Sequence, residues 1–125
     1  MTDAYRAVEL AEAPRVRSEK SGTETVDLTT DLGLAEMRAR VWFLEPGNTR
    51  KPLHRHATQE ELYVVLEGPG RLRVGDETLD VPTDAAVRVP PETPRQLLND
   101  TDRPHVWLVV GAPPVEHDGR PLETP

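Results

Sequence analysis

The chain has 125 residues, 30% of them charged, and a formal net charge of -7. That length builds one domain with a real core and excludes two. The absence of cysteine excludes a disulfide framework and a thiolate zinc site. An acidic balance without a Lys/Arg cluster argues against a nucleic-acid partner, no apolar run reaches membrane-spanning length, and a cytoplasmic protein is expected.

Residues 1–23 are polar, broken at Pro14 and loop-like from Ser18 to Thr23, so an N-terminal segment with mobile first residues is expected. Thr25-Val26-Asp27-Leu28 alternates weakly and predicts an edge strand. Met37 to Leu44 alternates strongly, with Met37, Ala39, Val41 and Phe43 on one face and Arg38 and Arg40 on the other. The expectation is that the apolar set lines a barrel interior. Trp42 and Trp107 then face the opposite way, as sandwich or interface residues.

His54 and His56 are two apart, so on an extended strand both imidazoles leave the same face. Glu61 to Leu66 follows as a buried strand, with Glu61, Tyr63 and Val65 together on its inner face and Glu60 turned to solvent. Arg71–Val74 and Thr78–Val81, joined at Gly75-Asp76-Glu77, predict a hairpin. Val87–Val89, Gln96–Leu98 and Val106–Val110 read as further short strands. Arg71, Arg73 and Arg88 read as a solvated face, and His105 and His117 as exposed. Asn99 to Asp102 is a turn cluster, and 113–125 a tail along the surface.

Short strands between turn signals, thirteen prolines and no helical period predict an all-β sandwich or barrel over residues 24–112. Leu62–Leu66 and Val106–Val110 are apolar on both faces, so something must cover the second face. A homodimer is expected to do so, the alternative being a monomer covered by its own termini.

Two imidazoles and a carboxylate on neighbouring strands make a facial set of metal ligands with open positions. The spacing Gly47, six residues, His54-x-His56, four residues, Glu61, six residues, Gly68 resembles the first motif of the cupin superfamily. Asp84 to Asn99 aligns without a gap with the second, which reads Gly, five residues, Pro-x-Gly, two residues, His, three residues, Asn. Asp84 and Glu92 replace glycines there, and Arg95 replaces the fourth metal-binding histidine. The resemblance implies a single-domain jelly-roll barrel holding a divalent transition metal (Fe, Mn, Ni, Co, Cu or Zn) on His54, His56 and Glu61. Asn99 resembles the closing Asn that satisfies backbone groups in its turn.

A guanidinium has no lone pair to give, so Arg95 cannot be a ligand. Either it pairs bidentately with Glu61 and makes metal unnecessary, or it turns aside as a cationic clamp for an anionic substrate, beside Tyr63 on the pocket wall. The chain is therefore expected to bind a small molecule. It would be a non-haem metal-dependent dioxygenase or isomerase, a metal-free module for small anions, or a structural cupin acting through its dimer surface.

Overall fold

Alternating apolar residues and frequent turn residues leave room for little except strands. A computed structural model describes residues 4–122. The chain runs β1 (Val16–Arg17), β2 (Glu24–Asp27), α1 (Leu28–Leu32), β3 (Arg38–Leu44), β4 (His54–His56), β5 (Glu60–Glu67), β6 (Gly70–Val74), β7 (Glu77–Val81), β8 (Ala86–Val89), β9 (Arg95–Leu98), β10 (His105–Ala112) and β11 (Gly119–Pro121). The short helix α1 is capped by the Asp27 carboxylate, which accepts from the Thr30 N–H, and ends at Gly33 in the left-handed region. Expectations about the first residues fall partly on 1–3, which lie outside the described residues. Among the described residues no helix is long and apolar enough to cross a membrane.

The strands form two antiparallel sheets, ordered β1-β2-β3-β10-β5-β8 and β11-β4-β9-β6-β7. This is the expected all-β jelly roll. Between the sheets lie Leu44, Tyr63, Val65, Leu72, Val81, Val89, Leu97, Trp107 and Val109. A glycine is required at one point in this core. At Gly70 a Cβ would meet the Trp107 ring at 2.4 Å, so the indole packs directly on the β6 backbone.

Three expectations are corrected. Trp42 pairs with Trp107, and Arg40 with Val109, across β3 and β10. Directly opposed residues share a face, so Arg38, Arg40 and Trp42 point inward with Trp107. Ala39, Val41 and Phe43 form the outer face, and Met37 is exposed. The alternation was read correctly and its sides reversed, because one end of the interior is polar. His105, expected outside, is fully buried, because it opens β10 on the inner face opposite Leu44 and bonds Thr101 Oγ1 through Nε2 at 3.0 Å. The tail does not merely lie on the surface, since Gly119–Pro121 pairs with His54–His56 as β11.

Apart from Glu60 at the start of β5, the outer face of β3, β10 and β5 is largely apolar, as the doubly apolar strands require. Its β3 side is buried, with Val41 and its β2 neighbour Val26 fully so, whereas Leu62 and Leu66 on β5 are 43% and 37% exposed. Gly70→Ala tests the contact at the heart of the core. The added methyl must push the indole or the strand, and a loss of about 1–3 kcal/mol is expected in denaturant unfolding.

Candidate metal site and its cavity

The inner faces of β4 and β5 meet at the open end of the barrel. His54 and His56 leave the same face of β4, while Glu61 and Tyr63 leave the inner face of β5, flanked across β10 by Gly111 and Val109. Gly111 has no side chain to fill this space; a Cβ there would sit 3.4 Å from Gln59 Oε1 and 3.6 Å from Glu61 Cγ. One ligand atom each from His54, His56 and Glu61 falls within 4.8 Å of the others. They border a cavity of about 730 Å³ whose walls include Trp42, Lys51, Tyr63, Leu97 and Val109.

Each imidazole has an oxygen beside its far nitrogen. His54 Nδ1 lies 3.1 Å from the Pro52 carbonyl, so its Nδ1–H donates there and Nε2 keeps a lone pair for the cavity. Burial lowers the His54 pKa, which favours the neutral ring a metal needs. His56 places Nδ1 3.3 Å from Asp118 Oδ2 and Nε2 3.3 Å from Glu61 Oε1. Both nitrogens are buried without a well-formed hydrogen bond, each beside a carboxylate, which leaves Nε2 an unsatisfied position at the cavity. A cation at this point would satisfy it, and the residues present fit a divalent metal.

Asp118 was not foreseen. It comes from the tail, 4% exposed, and accepts from the Thr58 N–H, the Thr58 hydroxyl and the Gln59 N–H at 2.7–3.2 Å. Burial opposes its ionisation, but those donors win and hold its pKa well below the usual carboxylate range. Nothing in the spacing of the sequence ties position 118 to a histidine 62 residues earlier; only the β4–β11 pairing brings them together.

Glu61 carries the densest set of contacts. Its Oε1 accepts from the Tyr63 hydroxyl at 2.7 Å and from Arg95 Nη1 at 3.1 Å. Burial raises its pKa, but His56, Tyr63 and Arg95 outweigh it, and the net shift is downward. Arg95 is fully buried and takes the place expected for the missing histidine, opposite His54 across β4 and β9. Its Nη2 donates to the Pro90 carbonyl. Of the two geometries left open by the sequence, this is the pairing with Glu61, through one nitrogen and not two. Arg95 does not line the cavity, whereas Tyr63 does. Glu60, as expected, lies in solvent and pairs with Arg88 at 2.5 Å. Asn99 is fully buried and donates to the Leu44 and Arg103 carbonyls, fastening the turn before β10.

An antiparallel jelly roll with two histidines and a glutamate converging inside its mouth defines a barrel with a possible metal site. A profile of the cupin domain matches residues 40–111, and the chain belongs to the cupin superfamily. It is 33% identical over 73 residues to an uncharacterized protein of Methanocaldococcus jannaschii, a match covering 58% of each. It is similar to a sugar phosphate isomerase of the cupin superfamily from Silicibacter pomeroyi, with 25% identity, a TM-score of 0.76, and coverage of 85% of this chain and 74% of that one. It shares the fold of a polyketide cyclase from Streptomyces resistomycificus, with 22% identity, a TM-score of 0.79, and coverage of 96% and 87%. The chain spans 58% and 53% of the length of the curated relatives it matches.

Lys51 is a further residue the sequence did not single out for the site. Its ammonium sits 3.1 Å from the Trp42 ring centroid. Burial, and next the charge of Arg40, lower its pKa to about 7 despite the opposing pull of Glu61. Reductive methylation with carbon-13 formaldehyde gives two lysine signals to assign, Lys51 and Lys20. The Lys51 signal is expected to titrate near pH 7; a midpoint near 10 would show the ammonium to be well solvated.

Proposed function

We propose that the chain binds a divalent transition metal through His54, His56 and Glu61, and a small organic molecule in the adjoining cavity, as a metal-dependent enzyme of the isomerase or dioxygenase type. The observation that carries this reading is the convergence of three ligand atoms within 4.8 Å of one another at a cavity of small-molecule size. The 25% identity to a sugar phosphate isomerase leans the reading toward isomerisation. Glu61 would use Oε2, since Oε1 is shared by Tyr63 and Arg95. When bound, the metal would supply Lewis acidity to polarise a substrate oxygen.

The protein's own groups do the remainder. Pro52 holds His54 in the tautomer that presents Nε2, and Asp118 sits 3.3 Å behind the His56 ring. The Tyr63 hydroxyl keeps its proton, held on Glu61, because burial and the neighbouring carboxylate push its pKa far up. Trp42, Leu97 and Val109 give the substrate an apolar wall that limits water.

A second reading is favoured by one observation, the buried Arg95–Glu61 pair, which already neutralises the carboxylate. In that reading the pocket binds its small molecule without metal. Metal analysis of untagged protein separates the two. Metal at or near one equivalent, lost in His54→Ala, supports the enzyme reading, and its absence after growth in supplemented medium supports the binding module.

Arg95 is the finer test. Arg95→His adds an imidazole donor and removes a cation close to the ligands, so metal affinity is expected to rise at least tenfold. Arg95→Ala leaves Glu61 and the Pro90 carbonyl without their buried donor. A loss of about 3–5 kcal/mol is expected in chemical denaturation.

We also propose that two copies pair through the outer face, where Leu62 and Leu66 are exposed beside half-buried Val64, Val106, Leu108 and Val110. The cytoplasmic location expected from the sequence belongs to the same reading. Light scattering at micromolar concentration is expected to give a dimer, and Leu62→Lys a monomer; a monomeric parent would remove this part.

A further inference from the structure

The polar end of the barrel carries more positive charge than its metal-binding role uses. Arg38 and Arg40 leave the inner face of β3 two residues apart, and Lys51 reaches the same space from the loop before β4. All three line the cavity that also holds His54, His56 and Glu61. The Trp42 ring anchors two of them, with the Lys51 ammonium 3.1 Å and the Arg40 guanidinium 5.9 Å from its centroid.

Their counter-charges are poor. Arg40 has Asp27 at 3.9 Å, and Arg38 has Glu116 at 3.9 Å, whose side chain is 74% exposed. Both distances are too long for hydrogen bonds. Among the described residues Lys51 has no carboxylate within 4.0 Å. The other acids at the cavity are engaged, Glu61 by Tyr63 and Arg95 and Asp118 by Thr58, Gln59 and His56. Gathering three cations in a partly desolvated wall is unfavourable unless an anion completes it or Lys51 sheds its proton, and an anion would keep Lys51 charged. Arg95, the cation the sequence offered for this task, is sealed beneath the floor.

We propose that Lys51, Arg40 and Arg38 form an oxyanion subsite that holds a carboxylate or phosphate on the small organic substrate, with its reacting end toward His54, His56 and Glu61. This rests on the small-molecule reading above and gives it a substrate class, a compact anionic molecule with an oxygen-bearing centre at the far end from its charge. Two guanidiniums can grip such a group through paired N–H bonds while the ammonium supplies a compact charge on the Trp42 side.

The test uses the full chain in chelator, so that no metal can hold the probe. Inorganic phosphate and acetate are titrated separately at low ionic strength and pH 6.5, with glycerol as the neutral control, following the Trp42 indole N–H signal by NMR. Either anion is expected to shift that signal saturably and glycerol to leave it in place. Lys51→Met is expected to weaken binding at least tenfold, and Arg40→Gln, a second variant should the first fold poorly, to do the same. Tighter phosphate than acetate assigns phosphate esters, and the reverse assigns carboxylates. Unchanged affinity in both variants, or no response of Trp42 to either anion, overturns the subsite. Metal content is measured in parallel on parent and Lys51→Met. A metal-free parent that still binds anion through Lys51 sinks the metal reading and leaves the subsite standing. A metal-bound parent blind to both anions does the opposite.

Discussion

Glu61 Oε1 is the atom on which the site depends. It is buried, ionised, and shared by a tyrosine hydroxyl, a guanidinium and an imidazole edge. A carboxylate in such a place is costly unless its lone pairs are filled, and breaking up a buried pair costs far more than an exposed one. Each partner is fixed by a different strand: Tyr63 by β5 itself, Arg95 by β9 and His56 by β4. The carboxylate therefore ties the two sheets together at the mouth, where the apolar core has given out. Those three contacts all fall on Oε1, which leaves Oε2 outside them.

The exchange of a ligand histidine for Arg95 makes sense within this arrangement. The guanidinium reaches the same carboxylate from the same strand and spends its other arm on the Pro90 carbonyl. It stabilises the ionised form of Glu61, which a metal also requires, but it brings a permanent positive charge that a metal would feel. The site is thereby poised between holding a cation and replacing one. A hydrogen bond between Asp118 and His56 Nδ1, now 3.3 Å apart, would favour metal, because a carboxylate behind an imidazole raises the basicity of the nitrogen in front.

The motif residues were legible in the sequence because their chemistry is local. His54-x-His56 needs only the two-residue period of a strand, and Glu61 needs only its parity with Tyr63 and Val65. Asp84 was legible as a glycine substitute, and its backbone does adopt a φ of 67°, a region an aspartate tolerates better than most side chains. What failed was sidedness. Met37, Val41 and Phe43 looked like lining because an apolar face ordinarily marks the core, yet one end of this barrel's interior is lined by charged and polar side chains. At the open end Arg38 and Arg40 line the interior while Val41 packs outward against Val26. The rule connecting apolar residues with the inside holds along part of β3 and reverses at the cavity.

The residues that escaped the sequence share one property: each acts through a partner far away in the chain. Asp118 reaches His56 only because β11 closes on β4, and Lys51 gains its character from Trp42 and Arg40 on β3. Periodicity can assign a residue to a face but cannot say which strand lies opposite. The same limit explains why Arg95 could be recognised as an oddity and not resolved. Its type excluded metal ligation outright, whereas its destination depended on how closely β9 approaches β5 beneath the cavity. With Arg95 committed to Glu61 and the Pro90 carbonyl, the cations that line the cavity are those of β3 and the loop before β4. The charges on that wall have only distant carboxylates, Asp27 and Glu116, each at 3.9 Å.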